Sequence, residues 1–283
     1  KHNNWSISTD GGFNLLNPGE TPENNTLFLL VLTAVIKAVD DYQGILRAFV
    51  ASAGNDHRLG ADEAPPAIIS VYLGDQLGAI VDSIIRGKNY VPGEKTQGSI
   101  GVPESPIFPK DATDRNRTSP FAFTGNKFEF RMLGSQANVA DANISLNAIV
   151  ADAFEQFADE LEGKLDVDKA AKKIIERELK AHSRIIYNLD GYGPEWEPEA
   201  ARRGLLNLKN TADAVPVLYE DKNVEVFVRQ GVYTREEAKA RADIRLENYT
   251  KIINIEALTM LEMAKQDIIP SVSDFVAELC QNV

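Results

Sequence analysis

The sequence is short of the residues that most often betray chemistry. It has one cysteine, Cys280, and three histidines, His2, His57 and His182, in 283 residues. A single thiol excludes an intramolecular disulfide framework and a cysteine-rich zinc site. The longest apolar run, Leu27 to Val39, contains Lys37 and falls short of the ~20 residues that span a bilayer. Basic residues are the minority, 30 Lys+Arg against 42 Asp+Glu, for a net charge of −12. Such a chain is a poor partner for nucleic acid or an anionic membrane surface. The phosphate-binding patterns G-x-x-x-x-G-K-[ST] and G-x-G-x-x-G are absent, as are G-x-S-x-G and H-E-x-x-H. The Gly93–Gly101 segment with Lys95 is only superficially P-loop-like. There is no solenoid repeat and no low-complexity tract.

What is present is an ordinary globular composition, 43% hydrophobic and 25% charged, which argues against disorder of the whole chain. Residues 1–140 hold 14 of the 19 glycines and 9 of the 13 prolines. That bias predicts strands, turns and loops first and helices after. The opening residues alternate, with His2, Asn4, Ser6 and Ser8 on one strand face and Asn3, Trp5 and Ile7 on the other. A turn follows at Asp10-Gly11-Gly12. Asn24 to Asp41 reads as a buried helix, Gly54 to Pro66 as a polar loop, Ala67 to Leu73 as a short apolar strand, and Tyr90 to Pro109 as a long loop. From Asp141 the apolar period becomes helical, through Ile144, Ala148, Ala151, Phe154 and Ala158. A second helix is expected from Asp166 to about Tyr187, broken by Gly191–Pro198. Thr234-Arg235-Glu236-Glu237 is a capping box opening a long helix. Pro270 is expected to close it, and Ser271 to Val283 to form a last short helix.

One segment stands out. Lys127-Phe128-Glu129-Phe130-Arg131-Met132 alternates strictly, with three charges on one face and three apolar side chains on the other. Charges alternating on a strand face usually make a solvated surface with cross-strand partners. The alternative is a site where Glu129 binds a hard cation and the basic groups hold anionic oxygens, as phosphoryl transfer requires. Asp114-Arg115-Asn116-Arg117-Thr118 supplies more guanidinium groups just upstream, and Arg58 with Glu63 marks another polar loop. His2 stands on a polar strand face, but a lone histidine is more often structural than a ligand. His57 reads either way, and His182 as a surface or helix-packing residue.

Taken together, three segments resemble the C-terminal half of the glutamine synthetase catalytic domain: Lys1–Ser6, Asn55–Pro65, and Arg115–Thr118 with Lys127–Arg131. Their wording resembles the type III branch, and Ala137–Asn143 fits the helix entry after the family's last active-site strand. Glu247-Asn248-Tyr249 and Met260–Met263 resemble the type III helical extension. The resemblance implies an α+β fold of the glutamine synthetase/guanido-kinase-like class: residues 1–160 forming a curved, mostly antiparallel sheet with helices, and 161–283 a mainly helical C-terminal region.

It also implies ATP-dependent ligation of ammonia to L-glutamate through a γ-glutamyl phosphate, in the cytoplasm, by a homo-oligomer using Mg²⁺ or Mn²⁺. By position, His2 and Glu129 would be metal ligands. Arg58 and Arg131 would serve glutamate. Asn4, Ser6, Arg117 and Lys127 would serve ATP, and Glu63 would lie on a flap that excludes water from the acyl phosphate; Glu63, Arg117 and Arg131 are the catalytic candidates. Asn4 stands where a histidine is common and Lys127 where an arginine is, which turns a bidentate clamp into a point charge. Ala122 stands near where a further arginine is usual. The family's other carboxylate ligands lie before the histidine strand, so the chain is expected to be a piece of a longer enzyme, inactive alone, with one incomplete metal site. A γ-glutamyl-amine ligase, a non-catalytic homologue, and an acidic helical interaction module from residue 161 onward are the competing readings.

Overall fold

The computed structural model describes residues 2–61, 64–88, 90, 97–98, 108–109 and 118–281. Its strands are β1 (Asn3–Trp5), β2 (Val71–Tyr72), β3 (Gln97–Gly98), β4 (Phe108–Pro109), β5 (Phe121–Phe123) and β6 (Phe128–Phe130). Its helices are α1 (Thr26–Asp41), α2 (Gln43–Phe49), α3 (Ala53–Asp56), α4 (Gly74–Ile85), α5 (Val139–Leu161), α6 (Val167–His182), α7 (Trp196–Arg202), α8 (Thr211–Ala214), α9 (Asp221–Arg229), α10 (Arg235–Met263) and α11 (Ile269–Gln281). The class is α+β, as expected: a small mixed sheet with helices around it, followed by helices.

The sheet has the order β1-β6-β5-β2. β6 pairs antiparallel with both β1 and β5, and β2 pairs parallel with β5. The charged–aromatic alternation of 127–132 explains β6. Phe128, Phe130 and Met132 are fully buried, and Phe121 stacks on Phe128 at 4.6 Å between ring centroids. Burying such a face at about 25 cal/mol per Å² of apolar surface is what holds so short a strand in register. The inward face of β1 is tied to α5: Asn3 Nδ2 donates to Asn143 Oδ1 at 2.8 Å and Trp5 Nε1 to Asn147 Oδ1 at 2.9 Å. The other face, with His2 and Asn4, is left outward. α1 is apolar nearly all round, and it is packed by α5 and α6.

Several expectations need correction. The 54–66 segment is not all loop: Ser52 caps a single helical turn, α3, accepting from Asn55 N at 3.2 Å. Of Ala67–Leu73, two residues form β2. The 90–109 segment includes the antiparallel pair β3–β4 among its described residues, with Pro109, which lacks an N–H, at its end. On α5 the buried stripe is Ala142, Leu146, Ile149, Ala153 and Phe157. Of the expected stripe, Ala148 is buried, Ile144, Ala151 and Phe154 are half-buried and Ala158 is exposed, because α5 carries apolar side chains on more than one face and tertiary packing chooses between them. α6 stops at His182, followed by a tight turn over Ser183–Ile185. α7 starts inside the expected 191–198 break, with Pro198 in its first turn, where a missing N–H is tolerated. Pro270 does not close the long helix opened by Thr234. Ala264–Ile268 widen into a π-turn and the helix resumes as α11, with Pro270 as its second residue. The capping box is present as read: Thr234 N donates to Glu237 Oε2 at 2.8 Å and Glu237 N to Thr234 Oγ1 at 3.1 Å.

Candidate active site

The antiparallel register sets Asn4 opposite Glu129. His2 lies two residues before Asn4, so the same pleat face carries it toward Glu129. His2 Nδ1 lies 2.6 Å from Glu129 Oε1. The other oxygen, Oε2, accepts from Arg131 Nε at 3.0 Å and Nη2 at 2.7 Å. Arg131 is 4% exposed and its Nη1 reaches Ser119 O at 3.5 Å. Burial pushes the Glu129 carboxyl up, but the hydrogen bond and charge of Arg131, followed by His2, outweigh it and hold the group below its ordinary value. Glu129 is therefore an anion at neutral pH, fixed by a cation on one side and a histidine on the other.

Arg58 approaches from the loop after α3. Its Nη1 donates to Asn55 Oδ1 and to Leu133 O, both at 3.2 Å, and its Nη2 to Arg131 O at 3.1 Å. Asn55, itself buried, donates to Val50 O and Met132 O, each at 2.7 Å. The Arg58 loop is thus latched to the chain leaving β6. Burial lowers the Arg58 guanidinium from its ordinary value, and the charge of Tyr192 when ionised partly offsets that.

The remaining candidates divide. Lys127 is half-buried at the head of β6, and its ammonium has no ion-pair partner among the described residues. The outward Asn4 side chain makes no hydrogen bond among them either. Ser6 is committed locally: its hydroxyl donates to Asn14 Oδ1 at 2.9 Å and Asn126 O at 3.2 Å. Glu63 and Arg117 lie outside the described residues, as do Arg115 and the 93–96 and 99–101 parts of the glycine-rich segment. His182 is the helix-packing residue of the two expected readings, with Nδ1 2.8 Å from Asp40 Oδ2 and Nε2 3.3 Å from Glu178 Oε2. His57 is exposed, 3.7 Å from Glu256.

An octahedral Mg²⁺ with ligands at about 2.1 Å holds neighbouring donors about 3 Å apart. The His2 and Glu129 donor atoms lie 2.6 Å apart, in direct contact and closer than that spacing. Two donors do not complete a site, and among the described residues no cluster of three or more His, Cys, Asp or Glu side chains surrounds a common point. No helix among them is long and apolar enough to cross a membrane.

Two structural features near the site escape sequence reading. Arg47, 1% exposed in α2, donates to Leu208 O at 2.8 Å and Lys209 O at 3.3 Å. Asp56 accepts from Thr211 N at 2.7 Å and Oγ1 at 3.0 Å. Both tie the Arg58 loop to the helical second half. Their one local signal is a cation inside an apolar stretch, Ile45-Leu46-Arg47-Ala48-Phe49, which demands buried acceptors.

Comparison with known proteins finds relatives along the chain. The family model described as the glutamine synthetase C-terminal domain matches residues 170–283. The chain is 45% identical over 274 residues to the type-3 glutamine synthetase of Dictyostelium discoideum, covering 96% of this chain and 37% of that protein. It is 44% identical to the glutamine synthetase of Butyrivibrio fibrisolvens and 42% to that of Bacteroides fragilis (strain YCH46), in each case over all of this chain and 40% of the relative. The chain thus spans about two-fifths of the length of the curated relatives it matches. On these matches, the chain is similar along its length to glutamine synthetases, and residues 170–283 match that family's C-terminal domain.

Proposed function

We propose that the chain carries part of the active site of an ATP-dependent glutamate–ammonia ligase, in which residues 1–160 supply catalytic groups and 161–283 a supporting helical region. The substrate chemistry is phosphorylation of the glutamate side-chain carboxylate, followed by attack of ammonia on the acyl phosphate and loss of phosphate, giving L-glutamine and ADP. The observation that carries this reading is the His2–Glu129–Arg131 constellation on two adjacent antiparallel strands, beside Arg58.

In this reading His2 and Glu129 hold a divalent cation, Mg²⁺ or Mn²⁺, which when bound neutralises charge on the transferred phosphate. Arg131 keeps Glu129 ionised and oriented, and faces the charge that develops on the phosphorylated side chain. Arg58 has N–H groups left over from its three carbonyl bonds for the glutamate carboxylate. Lys127, with Asn4, Ser6 and Arg117, serves ATP, and Glu63 excludes water from the acyl phosphate. Two metal donors are too few for turnover, so residues 1–283 alone are expected to be inactive.

The long α10–α11 helix supports a homo-oligomer. Ile252, Ile255, Leu258, Met260, Leu261, Val272 and Phe275 are each between 43% and 65% exposed on it, and an apolar helix of this kind requires cover.

The test is phosphate release from ATP and glutamate by the full-length protein, with and without ammonia, repeated with Glu129→Ala. Ammonia-dependent release that collapses in the variant is expected. Release untouched by the substitution overturns the site assignment, and no release with metal and both substrates present overturns the ligase reading in favour of a non-catalytic subunit.

A further inference from the structure

Arg58 follows α3, a single helical turn held by two neighbouring side chains that reach different parts of the fold. Asn55, 1% exposed, holds the sheet side: its Nδ2 donates to Val50 O and Met132 O, each at 2.7 Å, and its Oδ1 accepts from Arg58 Nη1 at 3.2 Å. Asp56, the next residue, reaches the helical second half. Its Oδ2 accepts from Thr211 N at 2.7 Å and its Oδ1 from Thr211 Oγ1 at 3.0 Å. Thr211 is buried and is the first residue of α8. Its amide is one of those a helix start leaves without an intrahelical acceptor, and a carboxylate is a strong acceptor for it. Arg47 joins the same group, with Nη2 3.5 Å from Asp56 Oδ1 and Nε donating to Leu208 O at 2.8 Å.

We propose that Asp56 and Thr211 form a clasp that positions Arg58, so that a residue of the helical second half helps to set the affinity for the amino-acid substrate. The inference rests on the ligase reading, in which Arg58 holds the glutamate carboxylate, and it assigns positioning residues that touch no substrate. The path from clasp to guanidinium is short. Arg58 N donates to Asn55 O at 3.1 Å and Leu59 N to the same oxygen at 2.9 Å, so Arg58 leaves directly from the turn that carries Asp56. Asn55 alone gives that turn a pivot, because one side chain fixes a position and leaves a rotation about it. The two bonds to Thr211, one residue further on, supply the second point that stops the rotation. Arg58 itself donates to Leu133 O and Arg131 O. A rotated turn must therefore break those bonds or draw the guanidinium away from Glu129 and Arg131.

The experiment compares wild type, Thr211→Val, Thr211→Ser, Arg58→Lys and the double variant Arg58→Lys with Thr211→Val, all in the full-length protein. Valine keeps the shape and the backbone amide and removes only the hydroxyl bond to Asp56; serine restores it. Thr211→Val is expected to raise the glutamate KM about fivefold, equivalent to roughly 1 kcal/mol, while kcat and the ATP KM stay within about twofold. Thr211→Ser should return the glutamate KM to near the wild-type value. Valine in the Arg58→Lys background should add little, because two changes that act on one contact do not add. Amide exchange over residues 55–61, read without substrate, should quicken in Thr211→Val while that over 128–132 does not. An unchanged glutamate KM or unchanged exchange over 55–61 in Thr211→Val overturns the clasp while the ligase reading stands. Full additivity with Arg58→Lys overturns it too, as do equal rises in both KM values, the pattern of a merely structural residue. A wild type that releases no phosphate with metal, glutamate and ammonia present removes the ligase reading, and the role assigned to the clasp goes with it.

Discussion

Replacing Arg58 by lysine isolates what the guanidinium contributes, because charge is kept while the planar fork is lost. Arg58 has five N–H donors. Three go to Asn55 Oδ1, Leu133 O and Arg131 O, at 3.1 to 3.2 Å, and two remain. The three bonds close the Arg58 loop onto the end of β6, so the substitution removes a latch and a ligand together. Each bond is long and half-exposed, which puts it near the lower end of the usual range, about 1 kcal/mol. A lysine ammonium can recover one of the three. The net loss is then about 2 kcal/mol, or roughly 4–8 °C in thermal midpoint at the 2–4 °C per kcal/mol typical of large domains.

The functional arm is separate. On the proposed function the glutamate carboxylate would lose a bidentate partner and keep a point charge, so the glutamate KM should rise about tenfold or more with the ATP KM unchanged. Scanning calorimetry and steady-state phosphate release on the same preparations measure both arms. Arg58→Met serves as the control that also removes charge, and it should be worse on both. A thermal midpoint unchanged within about 1 °C would refute the latch. A lowered midpoint with an unmoved glutamate KM would refute the carboxylate role and leave Arg58 as a structural residue.

Thr234→Ala removes the box that opens α10 and should cost about 1 kcal/mol, seen as faster amide exchange in the first turn of that helix; unchanged exchange would refute the cap's contribution. Burial, followed by the Asp152 carboxylate, pushes the Tyr42 phenol up to about 12. Because the folded value lies above the unfolded one of about 10, its contribution is fully present below about pH 10 and lost as pH rises through about 12. Tyr42→Phe should flatten that alkaline loss in urea titrations, and an unaltered slope would refute the assignment. Leu258→Glu with Leu261→Glu, on the exposed part of α10, should lower the molar mass by light scattering without shifting the helix signal; an unchanged mass would place the subunit contact elsewhere.

The strand patterns were legible because they are local. A period of two over six residues shows which of Lys127–Met132 face inward, and burial of Phe128, Phe130 and Met132 follows directly. The Thr234 box spans four residues, and its two hydrogen bonds form within them. The register that sets Asn4 against Glu129 was not legible from pattern alone, since the two strands are more than a hundred residues apart and either could slide by two without exposing an apolar side chain. The α5 stripe failed for a related reason. Ile144, Phe154 and Leu146 all supply apolar surface, and only packing against α1 and β1 decides that Leu146 is the one fully buried.

The longest-range features bear most on the site. Arg47 and Asp56 find their partners at Leu208, Lys209 and Thr211, across some 150 residues of sequence. No periodicity encodes such a contact. The sequence records only the demand, a charged side chain inside Ile45–Phe49 that cannot stay buried without acceptors. Arg47 Nε and Nη2 meet that demand at the loop around Leu208, while Nη1 has no partner among the described residues, so the position of Arg58 depends on the helical second half as much as on the sheet. Perturbing 205–211 should then disturb the Arg58 loop before it disturbs β6, whose register is held independently by the stacked rings of Phe121 and Phe128. The second half is in this sense part of the scaffold that positions Arg58.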